Sequence, residues 1–531
     1  MALYRSRTRP TVSAPRPRRF LALLVVLALA LPTACSFDSA GSEDDGGPPT
    51  SMTLATPFPI TDLSPSASGF WAPEFGYGEL LMRAHADGSI EPWLLESLEQ
   101  KSPTSWLLTL NKGITFQNGT PLDAEMLTAL VNDAMSTNED LQAAVPGGEA
   151  KTVSALEVEL TTDRPAGSVP SAFAHELLVP IYDMDAAEKA GDDVEAQVEA
   201  RFWTGPYVVT EIGSEELVLE PNEDYWGGPP PLEGVTVRFI PDSQARVLAV
   251  QSDEADLALY PEAATARALE GSADATFVTS ELTHSTVRMP LNMRDPILSD
   301  VDVRRALTLG IDYTALAEQV LPTVYEVATG MYPAHLPFAK ETQKTNQEEA
   351  ARLLDEAGWE LGSGEYRERD GQRLTLTFIV NEQVADLMAL AVALQDQLRS
   401  LGVEVKVQEV ADIVELTGRS DDWSAGFLLS NVFGGDYVGD VQRYLGPGGR
   451  YNVGHVDDPE LNELIEQAFA ETDPEAQNEL LGSIQDVVAD QAYAIHPVER
   501  RTAVVASPAW EDYFIPMNNR WVEADTGGPG S

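Results

Sequence analysis

The segment from Leu374 to Val410 constrains the fold more than any other part of this 531-residue chain. It begins with a mainly apolar stretch that ends at Val380, which predicts a strand, and from Val403 apolar residues alternate with polar ones, which predicts another. Between the two strands, leucines recur at helical spacing until Gly402 supplies a helix stop. A strand, a helix and a strand in this order favour a parallel pair joined by a right-handed crossover. The pattern therefore predicts an α/β protein.

Other local patterns predict further helices and strands. Asp458 and Asp473 each precede a proline, and an acidic N-cap followed by proline predicts the start of a helix. Asp123 is predicted to cap another helix. Residues 106–110 and Ile114–Phe116 predict two strands joined by a turn. At about 150 residues per domain, the length indicates about three domains or lobes.

Residues 1–34 predict an export signal. They carry six arginines and no acidic residue, and they include the apolar run Phe20–Leu31, an order typical of a secretory signal peptide. The run is shorter than the roughly 20 residues that span a bilayer. Cys35, the only cysteine, follows directly and resembles the lipidated cysteine of a bacterial lipoprotein. The alternative is plain secretion with an incidental free thiol, and both Sec and twin-arginine export stay open. After Cys35, the small, acidic, Gly- and Pro-rich residues up to position 51 predict a flexible tether.

The composition and motifs exclude several classes of function. A formal net charge of −51 repels phosphate backbones, so nucleic-acid binding is disfavoured. No phosphate-binding loop, dinucleotide fingerprint or nucleophile elbow is present. The six histidines are isolated, so the sequence predicts no metal site and no cofactor. We therefore predict that the chain is not an enzyme, and a hydrolase built from scattered residues stays a less favoured alternative.

Five sequence blocks resemble those of the family 5 extracellular solute-binding proteins, the receptors of peptide- and nickel-type ABC importers. They occur in the family's order: Trp106–Glu125, Thr204–Tyr207, Asn222–Trp226, Leu291–Asp312 and Ala351–Trp359. Gln117 and Asn118 stand where the family usually has His and Asp. These are framework positions, so the resemblance still implies the family's fold.

The resemblance implies a two-lobed fold of the periplasmic-binding-protein type, in its large peptide-binding form, with a solute enclosed between the lobes. Carried onto this chain, lobe I comprises residues 52–81, 187–286 and 500–524; an inserted extra domain comprises 82–186; and lobe III comprises 287–499. The implied protein is a monomeric receptor that delivers a small solute to ABC permease and ATPase subunits. Its lipid anchor would be its only membrane contact, at the outer face of the cell membrane.

An oligopeptide is the favoured solute. The alternatives are a receptor of the same fold for a metal chelate, a sugar or another small molecule, and a scaffold or regulatory lipoprotein that does not transport.

The candidate ligand-binding residues follow from the resemblance and from side-chain chemistry. Asp436, Tyr437 and Asp440 fall where peptide-binding members often carry an Asp that pairs with the ligand's α-ammonium group. A carboxylate in a closed cleft needs a cation to offset its desolvation. Aromatic side chains offer apolar contact without strict specificity. The remaining candidates are Phe70, Trp71, Tyr77, Trp423, Phe433 and, as a hydrogen-bonding partner of a ligand backbone, Asn381. The alternative is that the aspartates are solvated turn residues and the aromatic residues belong to the core.

Overall fold

A computed structural model describes residues 50–283, 285–382, 384–516 and 519–527, which form mixed α/β structure. The predicted signal peptide, Cys35 and nearly all of the predicted tether lie outside the described residues. The strands are β1 Ser51–Thr56, β2 Met82–Ala84, β3 Ile90–Pro92, β4 Leu95–Ser102, β5 Ser105–Leu110, β6 Glu149–Thr152, β7 Glu157–Thr161, β8 Tyr207–Ile212, β9 Glu216–Pro221, β10 Gly234–Phe239, β11 Leu257–Leu259, β12 Thr276–Thr279, β13 Ser285–Pro290, β14 Tyr325–Val327, β15 Glu368–Arg369, β16 Gln372–Arg373, β17 Thr375–Asn381, β18 Glu404–Val410, β19 Ala425–Gly426, β20 Leu428–Asn431, β21 Ala494–Ile495, β22 Val498–Arg500 and β23 Ala503–Ala506.

Many of the helices begin after an aspartate N-cap. The helices are α1 Trp71–Glu74, α2 Ala124–Thr137, α3 Glu139–Ala144, α4 Val169–Phe173, α5 Met184–Ala190, α6 Val194–Ala200, α7 Ser243–Gln251, α8 Ala264–Ala268, α9 Val301–Gly310, α10 Tyr313–Ala315, α11 Gln347–Glu356, α12 Ala385–Ser400, α13 Ile413–Thr417, α14 Tyr437–Leu445, α15 Pro459–Ala470 and α16 Pro474–Gln491. Within the part of the chain that the structure describes, α1, α4, α8 and α12 have no side-chain cap. The predicted N-caps Asp123, Asp458 and Asp473 are confirmed, because each side chain accepts hydrogen bonds from amides of the first helical turn. No helix of the described residues is long and apolar enough to cross a membrane.

A seven-stranded sheet draws its strands from three separate stretches of the chain. Its order is β12-β23-β11-β1-β10-β9-β8. β1 lies inside the sheet and pairs in parallel with β10 and β11, whereas β23, from near the C-terminus, pairs antiparallel with β11 and β12. Leu54, Tyr77 and Trp521 are buried in the core beside it. We use the name lobe I for this sheet and the segments that pack on it.

The inserted domain and lobe III each have their own sheets and core. The inserted domain contains the antiparallel sheet β4-β5-β7-β6, and Trp106 and Phe116 lie in its core. Lobe III contains the sheet β14-β22-β13-β20, with β21 also paired to β13, and the sheet β18-β17-β19. β17 and β18 are parallel and joined by α12, which confirms the predicted strand–helix–strand unit. The exact boundaries of the predicted domains stay a prediction.

One predicted strand, Ile114–Phe116, is wrong. The structure has only an isolated bridge between Thr115 and Pro121 in this segment. The Phe116 amide donates to the Thr120 carbonyl oxygen at 2.8 Å, which closes a tight loop through Gly119, whose φ of +86° suits glycine. The apolar side chains of Ile114 and Phe116 are buried in the core as a strand's would be, but the backbone turns back on itself.

The chain passes between lobe I and lobe III at two neighbouring crossovers. One connects β12 to β13, and the other is the pair Arg501 and Thr502 between β22 and β23. The Ser280 amide donates to the Thr502 carbonyl oxygen at 2.9 Å, and the Thr502 amide donates to Ser280 Oγ at 3.2 Å. The two crossovers are therefore tied to each other where the lobes join.

Candidate ligand-binding cleft

Lobe III meets lobe I and the inserted domain along a surface that we call the seam. Hydrogen bonds across it include Ala263 N to Asp386 Oδ1 (3.3 Å), Gly167 N to Phe469 O (2.7 Å), Ser171 Oγ to Asp436 Oδ1 (3.4 Å) and His335 Nε2 with Ala86 O (3.1 Å). The lobes are thus closed onto each other in this structure, and groups between them are shielded from water.

Two glycines lie close to the opposite backbone across the seam. A Cβ on Gly434 of lobe III would lie 2.6 Å from the carbonyl carbon and oxygen of Ala174, and Gly434 also has a φ of +60°. A Cβ on Gly167 of the inserted domain would lie 1.5 Å from the carbonyl oxygen of Glu471. Only glycine fits at either position while the seam is closed.

Asp436 lies at the seam, at the start of α14. Its carboxylate caps the helix by accepting a hydrogen bond from the Gly439 amide at 3.1 Å. It also pairs with Arg443 Nη1 at 3.0 Å, and Ser171 of the inserted domain donates to it from across the seam. Because Arg443 already pairs with this charge, a ligand ammonium would share the carboxylate with Arg443 or displace it.

Asp440 lies one helical turn further along α14 and is fully buried. Its Oδ2 accepts hydrogen bonds from Arg288 Nη2 at 2.8 Å and from the Tyr332 hydroxyl at 2.9 Å, and its Oδ1 accepts one from Ser430 Oγ at 3.1 Å. Burial alone would lower the pKa of Arg288, but the negative charge of Asp440 raises it above its ordinary value. All of these partners belong to lobe III, so Asp440 fastens β13 and β20 to α14.

Tyr437, between the two aspartates, belongs to a buried aromatic cluster. Its ring packs edge-on against Tyr332, with 5.4 Å between ring centroids, and against Phe338 at 4.6 Å. Phe433 begins the 3₁₀ turn Phe433–Gly435 that precedes Asp436.

Trp423 and Asn381 lie further into lobe III. Trp423 is buried, and its indole N–H donates to the Ser420 carbonyl oxygen at 3.1 Å. Asn381 ends β17, and its Nδ2 donates to the Ala411 carbonyl oxygen at 3.3 Å. Both side chains therefore have hydrogen-bond acceptors within their own lobe.

Phe70 and Trp71, two of the three predicted aromatic residues of lobe I, form a continuous wall with three other rings. Phe70 and Trp71 have ring centroids 4.3 Å apart, and Phe58 lies 5.8 Å from Trp71. Tyr260 continues the wall at 5.3 Å from Phe58 and 5.5 Å from Trp521. Such a wall offers a wide apolar face to a ligand.

Glu74 ends α1 next to this wall, and sequence reasoning missed it. Only 5% of the residue is exposed, and its Oε2 has no hydrogen-bond partner. Burial and the negative charge of Glu176 raise the pKa of Glu74 well above its ordinary value. Burial also raises the pKa values of Tyr77 and Tyr260, and the charge of Glu74 adds to both shifts. The four groups therefore share one water-poor region.

Tyr77 carries a second buried polar atom without a partner. Its ring packs edge-on against Trp203 at 5.8 Å, and its hydroxyl forms no hydrogen bond. A buried hydroxyl without a partner is costly, so this atom offers a hydrogen bond to an occupant of the region.

The residues that sequence reasoning missed left weak signals. Glu74 is the only charge in the aromatic stretch from Phe70 to Tyr77, and Arg288 is the only charge in β13. A lone charge in an apolar stretch indicates a buried partner or a binding role. Arg443 follows Asp436 by seven residues, two helical turns along the same helix.

The described residues contain no group of three or more His, Cys, Asp or Glu side chains placed to hold a metal ion.

The chain thus has two lobes joined at tied crossovers, with unpaired polar atoms buried beside an aromatic wall of lobe I. The model of the bacterial extracellular solute-binding proteins, family 5, matches residues 89–450, more than half of the chain. The chain belongs to this family. It is a solute-binding receptor of the ABC importer type and not an enzyme, as the sequence predicts. Proteins of this family act outside the cytoplasm, which agrees with the predicted export.

Relatives of the chain include receptors with different solutes in their names. It is 28% identical to the nickel-binding periplasmic protein of Escherichia coli over 412 residues, which cover 73% of this chain and 76% of that protein. It is 26% identical to protein XP55 of Streptomyces lividans over 545 residues, 97% of this chain and 95% of that protein. It is 25% identical to the oligopeptide-binding protein AppA of Bacillus subtilis over 421 residues, 73% and 75% of the two chains.

Solved structures share the fold. NikA from Staphylococcus aureus, in complex with Ni(L-His)2, matches with a TM-score of 0.74 at 21% identity over 90% of this chain and 100% of that one. AppA from Bacillus subtilis, in complex with a nonapeptide, matches with a TM-score of 0.69 at 19% identity over 87% and 96% of the two chains. The predicted two-lobed fold is therefore confirmed.

Proposed function

We propose that this chain is a lipid-anchored receptor that binds short peptides between its lobes and delivers them to an ABC permease. The similarity to an oligopeptide-binding relative supports a peptide solute. The observation that carries the proposal is the buried carboxylate of Glu74, whose Oε2 has no partner beside an aromatic wall.

An ammonium group matches the chemistry of Glu74. It would supply both the hydrogen bond and the positive charge that the carboxylate lacks. The rings of Trp71 and Tyr260 would cover the apolar atoms next to that ammonium, and Phe70 extends the same wall. The unpaired Tyr77 hydroxyl would bond to a peptide carbonyl. A free amino group joined to a chain of amides and mixed side chains meets all of these requirements.

The lobe III aspartates are weaker candidates for the same contact. We keep Asp436 as a second ammonium partner because it lies at the seam. Asp440 is held by three partners within lobe III, and a ligand would have to break that arrangement to reach it. Ligand contacts of Phe433, Tyr437, Trp423 and Asn381 stay predictions.

A nickel chelate is the second candidate solute. Nickel-binding proteins are among the relatives and the matching structures, so the comparisons favour this solute as well. The N–H groups of an amine bound to nickel would donate hydrogen bonds to the unpaired oxygen of Glu74.

The deciding experiment is native mass spectrometry of the gently purified full chain, before and after denaturation. We expect a mixture of peptide masses that is released on denaturation. Glu74→Gln should retain at least about tenfold less, because a charge-assisted hydrogen bond contributes about 1.5–3 kcal/mol.

The matched control is Glu79→Gln. Glu79 is also buried in lobe I, but its carboxylate already accepts hydrogen bonds from the Tyr225 hydroxyl (2.7 Å) and the Trp226 indole (3.1 Å). Retention should stay near the wild-type level in this variant. A nickel complex in place of peptides would establish the second candidate. An empty protein that shows no thermal shift with a peptide library would contradict peptide binding and favour a scaffold role.

The proposed anchor has its own test. We expect the wild-type protein in the membrane fraction and Cys35→Ser in the medium, because the cysteine would carry the lipid. A wild-type protein found entirely in the medium would contradict the anchor and leave the receptor proposal unaffected.

A further inference from the structure

A cavity of about 280 Å³ lies beside the crossover from lobe I to lobe III. Three parts of the chain line it: the region of β2, the crossover residues Ser280 to Leu282, and the C-terminal segment that contains Arg520 and Glu523. Neither the aromatic wall nor Glu74 lines this cavity, so the proposed peptide site leaves it unexplained.

Arg520 is the most unusual group of this cavity. The residue is 3% exposed, and its Nη2 donates to the Ala84 carbonyl oxygen at 3.0 Å. Its Nη1 has no hydrogen-bond partner, and its Nε lies 3.2 Å from Glu523 Oε1 without the geometry of a hydrogen bond. Burial lowers the pKa of Arg520, and nearby carboxylates do not restore it. A guanidinium group this buried is normally bonded on all sides.

Glu281 and Glu523 also line the cavity, but neither accepts a hydrogen bond from Arg520. Glu523 lies 3.5 Å from Arg83 and 3.2 Å from Arg520, so two guanidinium groups share a single carboxylate. Glu91 pairs with His85 at 2.9 Å. The negative charge of Glu176 also reaches Arg520, but it provides no hydrogen bond that the unpaired Nη1 could use.

Trp93 contacts both arginines. The guanidinium carbon of Arg83 lies 4.3 Å from the centroid of the Trp93 ring, and that of Arg520 lies 5.6 Å from it. The ring stabilises both cations near the cavity that they line, although like charges repel. Two arginines at the wall of one cavity can bind an oxyanion together.

We propose that this cavity is a binding site for an oxyanion, a carboxylate or a phosphate, held by Arg520 and Arg83. Nη1 of Arg520 donates to one oxygen of the anion, and Arg83 balances its charge from the exposed side. The proposal does not require a peptide solute: the oxyanion comes either from the end of a solute that extends from the cleft or from a free anion.

The test is thermal unfolding of the full chain in sodium acetate and in sodium phosphate, at a fixed ionic strength set with chloride. An anion that binds only the folded state raises the melting temperature in a saturable manner. We expect saturation with at least one of the two anions. Arg520→Gln should raise the half-saturating concentration about tenfold, and Arg83→Gln about threefold, because a charged hydrogen bond is lost in the first case and a balancing charge in the second.

The matched control is Arg352→Gln, which removes an exposed arginine on α11. It should change the half-saturating concentration less than about twofold. If Arg520→Gln does not fold by circular dichroism, Arg83→Gln carries the test, since Arg83 is a quarter exposed. A wild-type protein that responds to neither anion beyond chloride would overturn the proposal. Variants that both keep the wild-type half-saturation would overturn it too.

A second arm separates the two sources of the oxyanion. Trialanine and trialaninamide differ only in the terminal carboxylate. If trialanine binds at least about tenfold more tightly, and Arg520→Gln abolishes that difference, the carboxylate belongs to the solute. If acetate or phosphate binds and trialanine does not compete with it, the anion is a separate ligand. Acetate or phosphate binding by a protein that retains no peptide would support this site while contradicting the proposed peptide solute.

Discussion

Buried carboxylates lie on both sides of the seam, and the two sides differ in the partners that they give these carboxylates. In lobe III, Asp436 and Asp440 each pair with an arginine, Arg443 and Arg288. In lobe I, Glu74 is buried to a similar degree, yet one of its oxygens has no partner. The aspartates are the ones that the family resemblance points to, whereas Glu74 belongs to no motif.

The difference separates two uses of a buried charge. A carboxylate with an internal arginine costs the fold little, because the pair offsets much of the desolvation of both groups. A carboxylate without a partner destabilises the fold until something arrives to pair with it. The aspartates therefore hold lobe III together, whereas the proposed function assigns Glu74 to a ligand. The comparison can be tested by removing each charge in turn.

The largest effect is expected for Asp440→Asn. The substitution leaves Arg288 buried without its counter-charge, so we expect a loss of about 3–5 kcal/mol in the free energy of unfolding. Urea denaturation at neutral pH measures it. Asp396→Asn, which breaks the exposed pair with Arg399, is the control and should leave the stability unchanged within error. A loss as small as that of the control would show that Asp440 does not neutralise Arg288.

A smaller loss is expected for Asp436→Asn. Asparagine still caps α14, but the ion pair with Arg443 is lost, so the free energy of unfolding should fall by about 1–3 kcal/mol. Asp436→Ala should cost about 1 kcal/mol more because it also removes the cap. The same urea series measures both variants. Equal losses for Asn and Ala would mean that the side chain does not cap the helix in solution.

The smallest effect, and one of opposite sign, is expected for Glu74→Gln. The pKa of Glu74 is higher in the folded chain than in the unfolded one, so the folded state holds the proton more tightly. The wild type therefore loses stability as the pH rises from the unfolded pKa through the folded one, whereas the variant lacks this loss. In urea denaturation we therefore expect the variant to match the wild type at pH 4 and to be more stable than it at pH 8.

Glu79→Gln sharpens the last comparison. Burial raises the pKa of Glu79 to about 7, and hydrogen bonds from Tyr225 and Trp226 oppose the shift. The stability difference between this variant and the wild type should therefore change with pH mainly between about 4.5 and 7. Denaturation curves collected across that range locate the change. If the difference in unfolding free energy between Glu74→Gln and the wild type does not depend on pH, Glu74 is paired in solution.

Local patterns predicted much of the fold. Alternating valines and spaced leucines predicted the parallel pair β17 and β18 with α12 between them, because each pattern reports which face of an element is buried. The acidic caps at Asp458 and Asp473 were predictable because capping involves only neighbouring amides. The prediction of a strand at Ile114–Phe116 was wrong. The side chains are buried in the core as those of a strand would be, but the backbone forms a four-residue turn.

The site was less predictable because its partners are distant in sequence. Asp436 could be found by its motif, and Arg443 lies on the same helix. Arg288, however, precedes Asp440 by 152 residues, and no local pattern indicates that two such charges will meet. The pairing of the aspartates and the unpaired oxygen of Glu74 are properties of the assembled lobes, so the sequence alone cannot separate their roles.

The two glycines at the seam have a consequence for which solutes allow the lobes to close. Gly434 and Gly167 touch the opposite backbone with nothing between, so the shut form tolerates no partial approach there. A solute that is slightly too large would separate the backbones at both glycines. The surface presented to the permease would then differ from that of the closed form. Closure of the seam therefore depends on the size of the solute. A single methyl group added at Gly434 would prevent closure in the same way as an oversized solute.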